Sequence, residues 1–150
     1  MLPTANPDQL DLFKSGALDA VWTVEPWVSR LEMEADAHLL VEQKDVLTTL
    51  LATSVKSLAR KGELLKKFAV AHEELVAKIS ADPAWAKSAA SASLLKATGR
   101  PIPSTLLDRA WPRLTFTTEI QLADFSAMQR DARAAGLLPM DANLSNLLVK

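Results

Sequence analysis

The segment from Asp19 to Trp27, DAVWTVEPW, constrains the fold more than any other stretch of this chain. Its β-branched and aromatic run at 21–24 favours a strand. Pro26 is tolerated at the first position of a helix, because the N–H that it lacks has no intrahelical partner there. The segment therefore predicts a strand that passes directly into a helix. In an α/β sheet ligands bind at such a junction, where free N–H groups and the positive end of the helix dipole face a crevice.

Three apolar runs in the first third of the chain predict strands, at 18–24, 38–41 and 47–53. Helical patterns dominate the remainder. A typical sheet has about five to six strands, so three strands indicate that a sheet built from this chain is incomplete. We therefore expect the chain to be part of a larger structure.

Local start and stop signals divide the helical part of the chain. Side-chain oxygens that can accept first-turn N–H groups predict helix starts at Ser54, at Asp82-Pro83 and at the capping box Thr118-x-x-Gln121. Glycines, which adopt the left-handed conformation that ends many helices, predict helix ends at Gly62, Gly99 and Gly136. The last segment, 141–150, is predicted to be a short helix or a frayed end.

Composition excludes several classes of protein. With 150 residues the chain is long enough for one domain with a core, and its net charge of −1 predicts no nucleic-acid partner. The absence of cysteine excludes disulfides and thiolate metal sites. No apolar stretch approaches the roughly 20 residues of a membrane helix, and no signal-peptide pattern opens the sequence.

Catalytic motifs are also missing from the sequence, so we predict a non-enzymatic protein without cofactor or metal. No glycine-rich phosphate loop and no G-x-S-x-G elbow occurs. The acids Glu32, Glu34 and Asp36 are assigned to a solvated helix face, and His38 and His72 have no partner at metal-ligand spacing.

An ordered series of motifs covers essentially the whole chain. It begins with LPTANPDQLDLFKSGALDAVWTVEPWVSRL and continues with HLLVE, TTLLATSVKSL, Phe68–His72 and Asp82-Pro83; GRPIP…LLDRAWPRLTFT and DARAAGLLP complete it. In this order the motifs resemble the nitrate/sulfonate/taurine-type solute-binding proteins of ABC importers. The specificity of the resemblance comes from the succession of the motifs.

The resemblance implies a helix-rich α/β fold, the C-terminal half of a two-lobed type II periplasmic-binding-protein fold. Residues 1–44 would be a partial second lobe (helix–strand–helix–strand), and 45–150 the return strand and C-terminal helices of the first lobe. The family has about twice this length, so the resemblance implies an N-terminal remainder and a periplasmic parent protein. The implied partners are a sulfonate, taurine or nitrate solute and the membrane subunits of the importer. A truncated chain is expected to self-associate.

The predicted ligand site lies at the strand–helix junction and on the third strand. Its residues are Trp22, Thr23, Glu25, Trp27 and Thr49. Glu25 either caps the following helix or holds a cationic group such as the amine of taurine, which favours an amine-bearing or organic-sulfonate ligand over an inorganic anion. Core packing explains the tryptophans more readily than ligand contact does, and strand propensity does the same for Thr49.

Two alternatives remain open from the sequence. A close relative of the same family handles thiamine pyrimidine precursors, and the sequence does not separate these ligands. A helical protein-interaction module without a small-molecule ligand is the other alternative. It predicts a contiguous exposed apolar face on 63–80 or 118–135, whereas the solute hypothesis predicts Thr23 and Glu25 at an open concave edge.

Overall fold

In a computed structural model the described residues are 2–44, 46–140 and 148. Within them the chain forms helices connected by irregular segments. The helices are α1 (Gln9–Lys14), α2 (Trp27–Ala35), α3 (Val55–Ala81), α4 (Pro83–Thr98), α5 (Ser104–Ala110) and α6 (Leu122–Ala134), with 3-10 turns at Asn6–Asp8 and Trp111–Arg113. The prediction for 141–150 lies outside the described residues, apart from Leu148.

The predicted α/β fold is wrong for the part of the chain that the structure describes. The runs 18–24, 38–41 and 47–53 carry no strand, and no other described residue forms a β-bridge. A strand is stabilised by hydrogen bonds to a neighbour, and β-propensity reflects how side chains fit a paired, half-buried surface. Without a pairing neighbour among these residues the apolar runs stay irregular, so the structure does not show half of a two-lobed type II binding-protein fold.

The helix starts at Ser54 and Asp82 are confirmed. The Ser54 hydroxyl accepts the N–H of Ser57 at 3.1 Å, and Asp82 Oδ1 accepts the N–H of Trp85 at 2.9 Å. Each bond satisfies one of the first-turn N–H groups that have no partner inside the helix. Pro83 follows Asp82 at the first position of α4 and fixes the point at which α3 gives way to α4.

The predicted helix ends are confirmed at two glycines and not at the third. Gly99 and Gly136 have φ of +69° and +71° and follow α4 and α6. At Gly62 the helix continues, and the break appears as a kink at Lys61, whose φ is −131° and ψ is 26°. The capping box at 118–121 is wrong, because α6 begins only at Leu122.

The packed part of the molecule consists of α1, α2, α5 and α4, in that order of contact. α2 contacts α1 and α5, and α4 connects α5 to α3. An ion pair between Lys87 and Asp108 joins α4 to α5, and Lys78 Nζ lies 3.7 Å from the ring centroid of Trp85 at the α3–α4 corner. The apolar side chains less than a tenth exposed are Leu10, Leu31, Ala86, Leu106, Leu107, Ala110 and Phe125.

α3 contributes no fully buried side chain to this core, as far as the described residues go. The accessible surface of the whole chain is 11,757 Å². A folded monomer of its mass, 16.3 kDa, is expected to expose about 7,500 Å². The chain therefore leaves about 4,000 Å² more surface open than a compact monomer does.

Candidate functional site

Four charged side chains form the densest ion-pair network in the described structure: Glu25, Glu32, Arg109 and Arg113, here called the acid–arginine cluster. Glu25 lies two residues before the start of α2 and Glu32 lies within it, whereas Arg109 and Arg113 come from α5 and the 3-10 turn that follows. The arginines are four residues apart on a continuous helical stretch and so share a side. Because α2 packs against α5, that side meets the two acids.

Arg113 is the centre of the cluster. Its Nη1 lies 2.9 Å from Glu25 Oε1 and 3.1 Å from Glu32 Oε2, and its Nη2 lies 3.0 Å from Glu32 Oε1. Arg113 thus holds Glu32 through two parallel bonds, the geometry that the planar guanidinium favours. Arg109 adds one bond, from Nε to Glu32 Oε2 at 2.8 Å.

Burial gives the cluster its electrostatic character. The side chains of Glu25 and Glu32 are only 6% and 10% exposed, whereas Arg109 is 49% exposed. Hydrogen bonds from Arg113 lower the pKa of Glu32 below its ordinary value, and burial opposes them only in part. The same bonds, to Glu32 and then Glu25, raise the pKa of Arg113. Both shifts favour the charged forms of Glu32 and Arg113.

Glu25 is the one predicted site residue that belongs to the cluster. Its Oε2 accepts the N–H of Ser29 in the first turn of α2 at 3.1 Å, which confirms the capping role. Its Oε1 holds Arg113. To bind this carboxylate, a cationic solute group would have to displace Arg113 or share the carboxylate with it.

The other predicted site residues lie in different environments. Thr23 is half-buried, and within the described structure its buried Oγ1 has no hydrogen-bond partner. Trp22 is 72% exposed. Trp27 is half-buried beside the Arg30 guanidinium, which lies 5.8 Å from its ring centroid. Thr49 is exposed in the irregular segment before α3. Ligand binding by these residues stays a prediction.

A second candidate site is apolar. Leu64, Phe68, Ala71 and Leu75 lie along one side of α3 and are here called the α3 stripe. The three large side chains are 61%, 54% and 45% exposed. This matches the exposed face on 63–80 that the interaction-module hypothesis predicts.

Three further features of the described residues bear on the site. An open depression of about 420 Å³ on and beside α6 is lined by Ser126, Gln129, Arg130, Arg133, Ala134 and Met140, none of them a predicted solute contact. No group of three or more histidine or acidic side chains is placed to hold a metal ion in the described parts. No helix there has both the length and the apolar character needed to cross a membrane.

Sequence reasoning missed Arg109 and Arg113, and it placed Glu32 on a solvated face. The face is solvated at Glu34 and Asp36, which are exposed, but Glu32 turns toward α5. The available signal was the i, i+4 spacing of the two arginines. That spacing shows that both lie on one side, but not which acids 77 to 88 residues away they meet.

A scan against protein-family models gave no match for this sequence, and searches of curated proteins and of solved structures gave none either. The class of the protein therefore rests on its own residues. They define a helical chain with a partly buried acid–arginine cluster and a long helix whose apolar side is open.

Proposed function

We propose that this chain is a non-catalytic binding component that works in association with a further polypeptide, which covers its exposed apolar surface. The observation that carries the proposal is the accessible surface of 11,757 Å². Stable interfaces remove about 800 Å² from each partner, so the excess of about 4,000 Å² has room for one or more such contacts.

The exposed surface contains large apolar side chains in two regions. One region is the α3 stripe. The other is the irregular stretch before α3, where Leu40, Val41 and Leu51 are 83%, 69% and 61% exposed. Extended apolar patches of this kind mark interaction surfaces in soluble proteins.

Dye binding combined with hydrodynamics tests the association. The chain is expected either to sediment as a multiple of 16.3 kDa, or to remain a monomer that binds 1-anilinonaphthalene-8-sulfonate. The triple change of Leu64, Phe68 and Leu75 to serine should lower dye binding or dissociate the complex. A compact monomer with a radius of gyration of about 15 Å and no dye binding would overturn the proposal.

The second candidate function is solute binding for an ABC importer, with a sulfonate, taurine or nitrate ligand. It is favoured by the ordered series of motifs from LPTANPDQL to DARAAGLLP and by the Glu25-Pro26-Trp27 corner at the start of α2. On this proposal the further polypeptide is the remainder of the component, and the membrane subunits of the importer receive the solute.

Thermal-shift screening tests the solute proposal on the longest gene product that carries this sequence. Taurine, alkanesulfonates, nitrate and thiamine pyrimidine precursors are the probes. A ligand that binds the native state raises the melting temperature by mass action. Thr23→Val and Glu25→Gln should reduce the shift, whereas Glu34→Gln, on the exposed side of α2, should leave it unchanged. If none of these probes raises the melting temperature, the solute proposal fails. The interaction module without a small-molecule ligand then remains.

A further inference from the structure

The α3 stripe has the spacing of a coiled-coil seam. Leu64, Phe68, Ala71 and Leu75 are separated by four, three and four residues, as a and d positions are. At 3.6 residues per turn they fall within an arc of about 60° and extend over about 16 Å. The kink at Lys61 lies before the stripe, so this part of α3 is regular.

The residues of α3 that the rest of the chain shields lie on another face. Beyond the kink, the large side chains that are half-buried are Leu65, His72, Val76 and Ile79. On a helical wheel they centre about 80° away from the stripe, with Ile79 at the edge nearest to it. The packing of α3 within its own chain therefore leaves the stripe open to a partner.

Two opposite charges border the stripe on one side. Lys67 immediately precedes Phe68, and Glu74 immediately precedes Leu75, so both occupy g positions of the same seam. Both are exposed, and neither has an ion-pair partner among the described side chains. In an antiparallel pair of helices the two g edges face each other.

We propose that the α3 stripe binds the α3 stripe of a second copy of this chain, with the two helices antiparallel about a twofold axis. This inference rests on the proposed association through apolar surface and names the partner.

One register satisfies both the shape and the charge pattern. When Leu64 lies opposite Leu75 of the second copy, Phe68 lies opposite the small Ala71, so that large and small side chains alternate across the seam. The same register places Lys67 opposite Glu74 of the second copy. By the twofold symmetry each of these contacts occurs twice, which is the self-complementarity that a homodimer requires.

Charge exchange tests the register. Lys67→Glu and Glu74→Lys each convert both ion pairs into like-charge contacts, and each should weaken dimerisation by about tenfold in sedimentation equilibrium. The double variant Lys67→Glu/Glu74→Lys restores opposite charges and should return the dissociation constant close to that of the unaltered chain. Glu73→Lys is the matched control, because it makes the same charge change on a face turned away from the stripe.

Site-specific cross-linking gives an independent measurement, because the chain has no cysteine of its own. Ala71→Cys places one thiol on each side of the twofold axis, in neighbouring layers of the seam, and a short bismaleimide should link the two copies into a covalent dimer. Val70→Cys, on the opposite side of α3 and 55% exposed, should not be linked. Circular dichroism of each variant checks that helix content is retained.

The outcomes separate the two proposals. A dimer rescued by the double charge exchange supports both of them. A dimer indifferent to Lys67→Glu and cross-linked as readily at residue 70 as at residue 71 overturns the α3 register. A monomer that binds the apolar dye overturns the second copy as partner and leaves the association proposal standing. A compact monomer without dye binding overturns both.

Discussion

Replacing Arg113 by methionine should destabilise the chain far more than the same change at Arg109. Arg113 donates bonds of 2.9, 3.1 and 3.0 Å to two carboxylates that are 6% and 10% exposed. Arg109 donates one bond, to Glu32, and is 49% exposed. The two variants remove the same charge and keep a similar apolar stem, so their difference isolates the effect of the bonds.

The magnitude follows from what the loss of Arg113 leaves behind. A hydrogen bond to a charged group contributes about 1.5–3 kcal/mol, but three bonds from one guanidinium do not add fully. Glu32 keeps Arg109, Glu25 keeps the Ser29 N–H, and water partly screens Arg113, which is 28% exposed. We therefore expect Arg113→Met to lower the free energy of unfolding by about 2–3 kcal/mol, and Arg109→Met by about 0.5 kcal/mol.

Urea unfolding followed by circular dichroism and tryptophan fluorescence measures both values, and coincident transitions test two-state behaviour. For a chain of 150 residues, the loss expected for Arg113→Met corresponds to a fall of about 5–10 °C in melting temperature. Arg113→Lys keeps the charge without the planar fork and should be intermediate. Equal losses for Arg113→Met and Arg109→Met would show that the bidentate contact does not stabilise the fold and would refute the reasoning.

Two further predictions concern pH and helix capping. The pKa of Glu32 is lower in the folded chain than in the unfolded one. Its ion pairs therefore stabilise the fold above the unfolded pKa, and this stabilisation is lost as the pH falls through the folded pKa. Between neutral pH and acid below about pH 4.5, Glu32→Gln should lose less stability than the unaltered chain does. Asp82→Ala removes the cap of α4 and should lower the free energy of unfolding by about 1 kcal/mol, whereas Asp82→Asn, which keeps an acceptor oxygen, should lose a few tenths at most.

The caps were predictable because their information is local. Ser54 and Asp82 act on N–H groups three residues further along the chain, and Gly99 needs only its own conformational freedom. The apolar face of α3 was also visible as a periodicity. What periodicity does not tell is whether the chain itself or a partner covers that face.

The predicted strands failed for the opposite reason. A sheet depends on pairing between distant segments, so a run such as 47–53 can satisfy every local criterion and still lack a neighbour. The acid–arginine cluster was missed on the same ground, since Glu25 and Arg113 are 88 residues apart. Both cases concern contacts whose partners no local pattern identifies.

The side chains of the two candidate sites differ in how many hydrogen-bond, ion-pair and apolar partners they already have within the chain. In the acid–arginine cluster every carboxylate oxygen of Glu25 and Glu32 has a donor within 3.1 Å, so the cluster holds α2 on α5 and has little capacity left for a solute. Among the described residues, the large side chains of the α3 stripe are about half or more exposed, and the flanking Lys67 and Glu74 have no ion-pair partner. A surface that lacks both apolar and ionic partners gains the most by binding one, which is why we place the association on α3 rather than at the cluster.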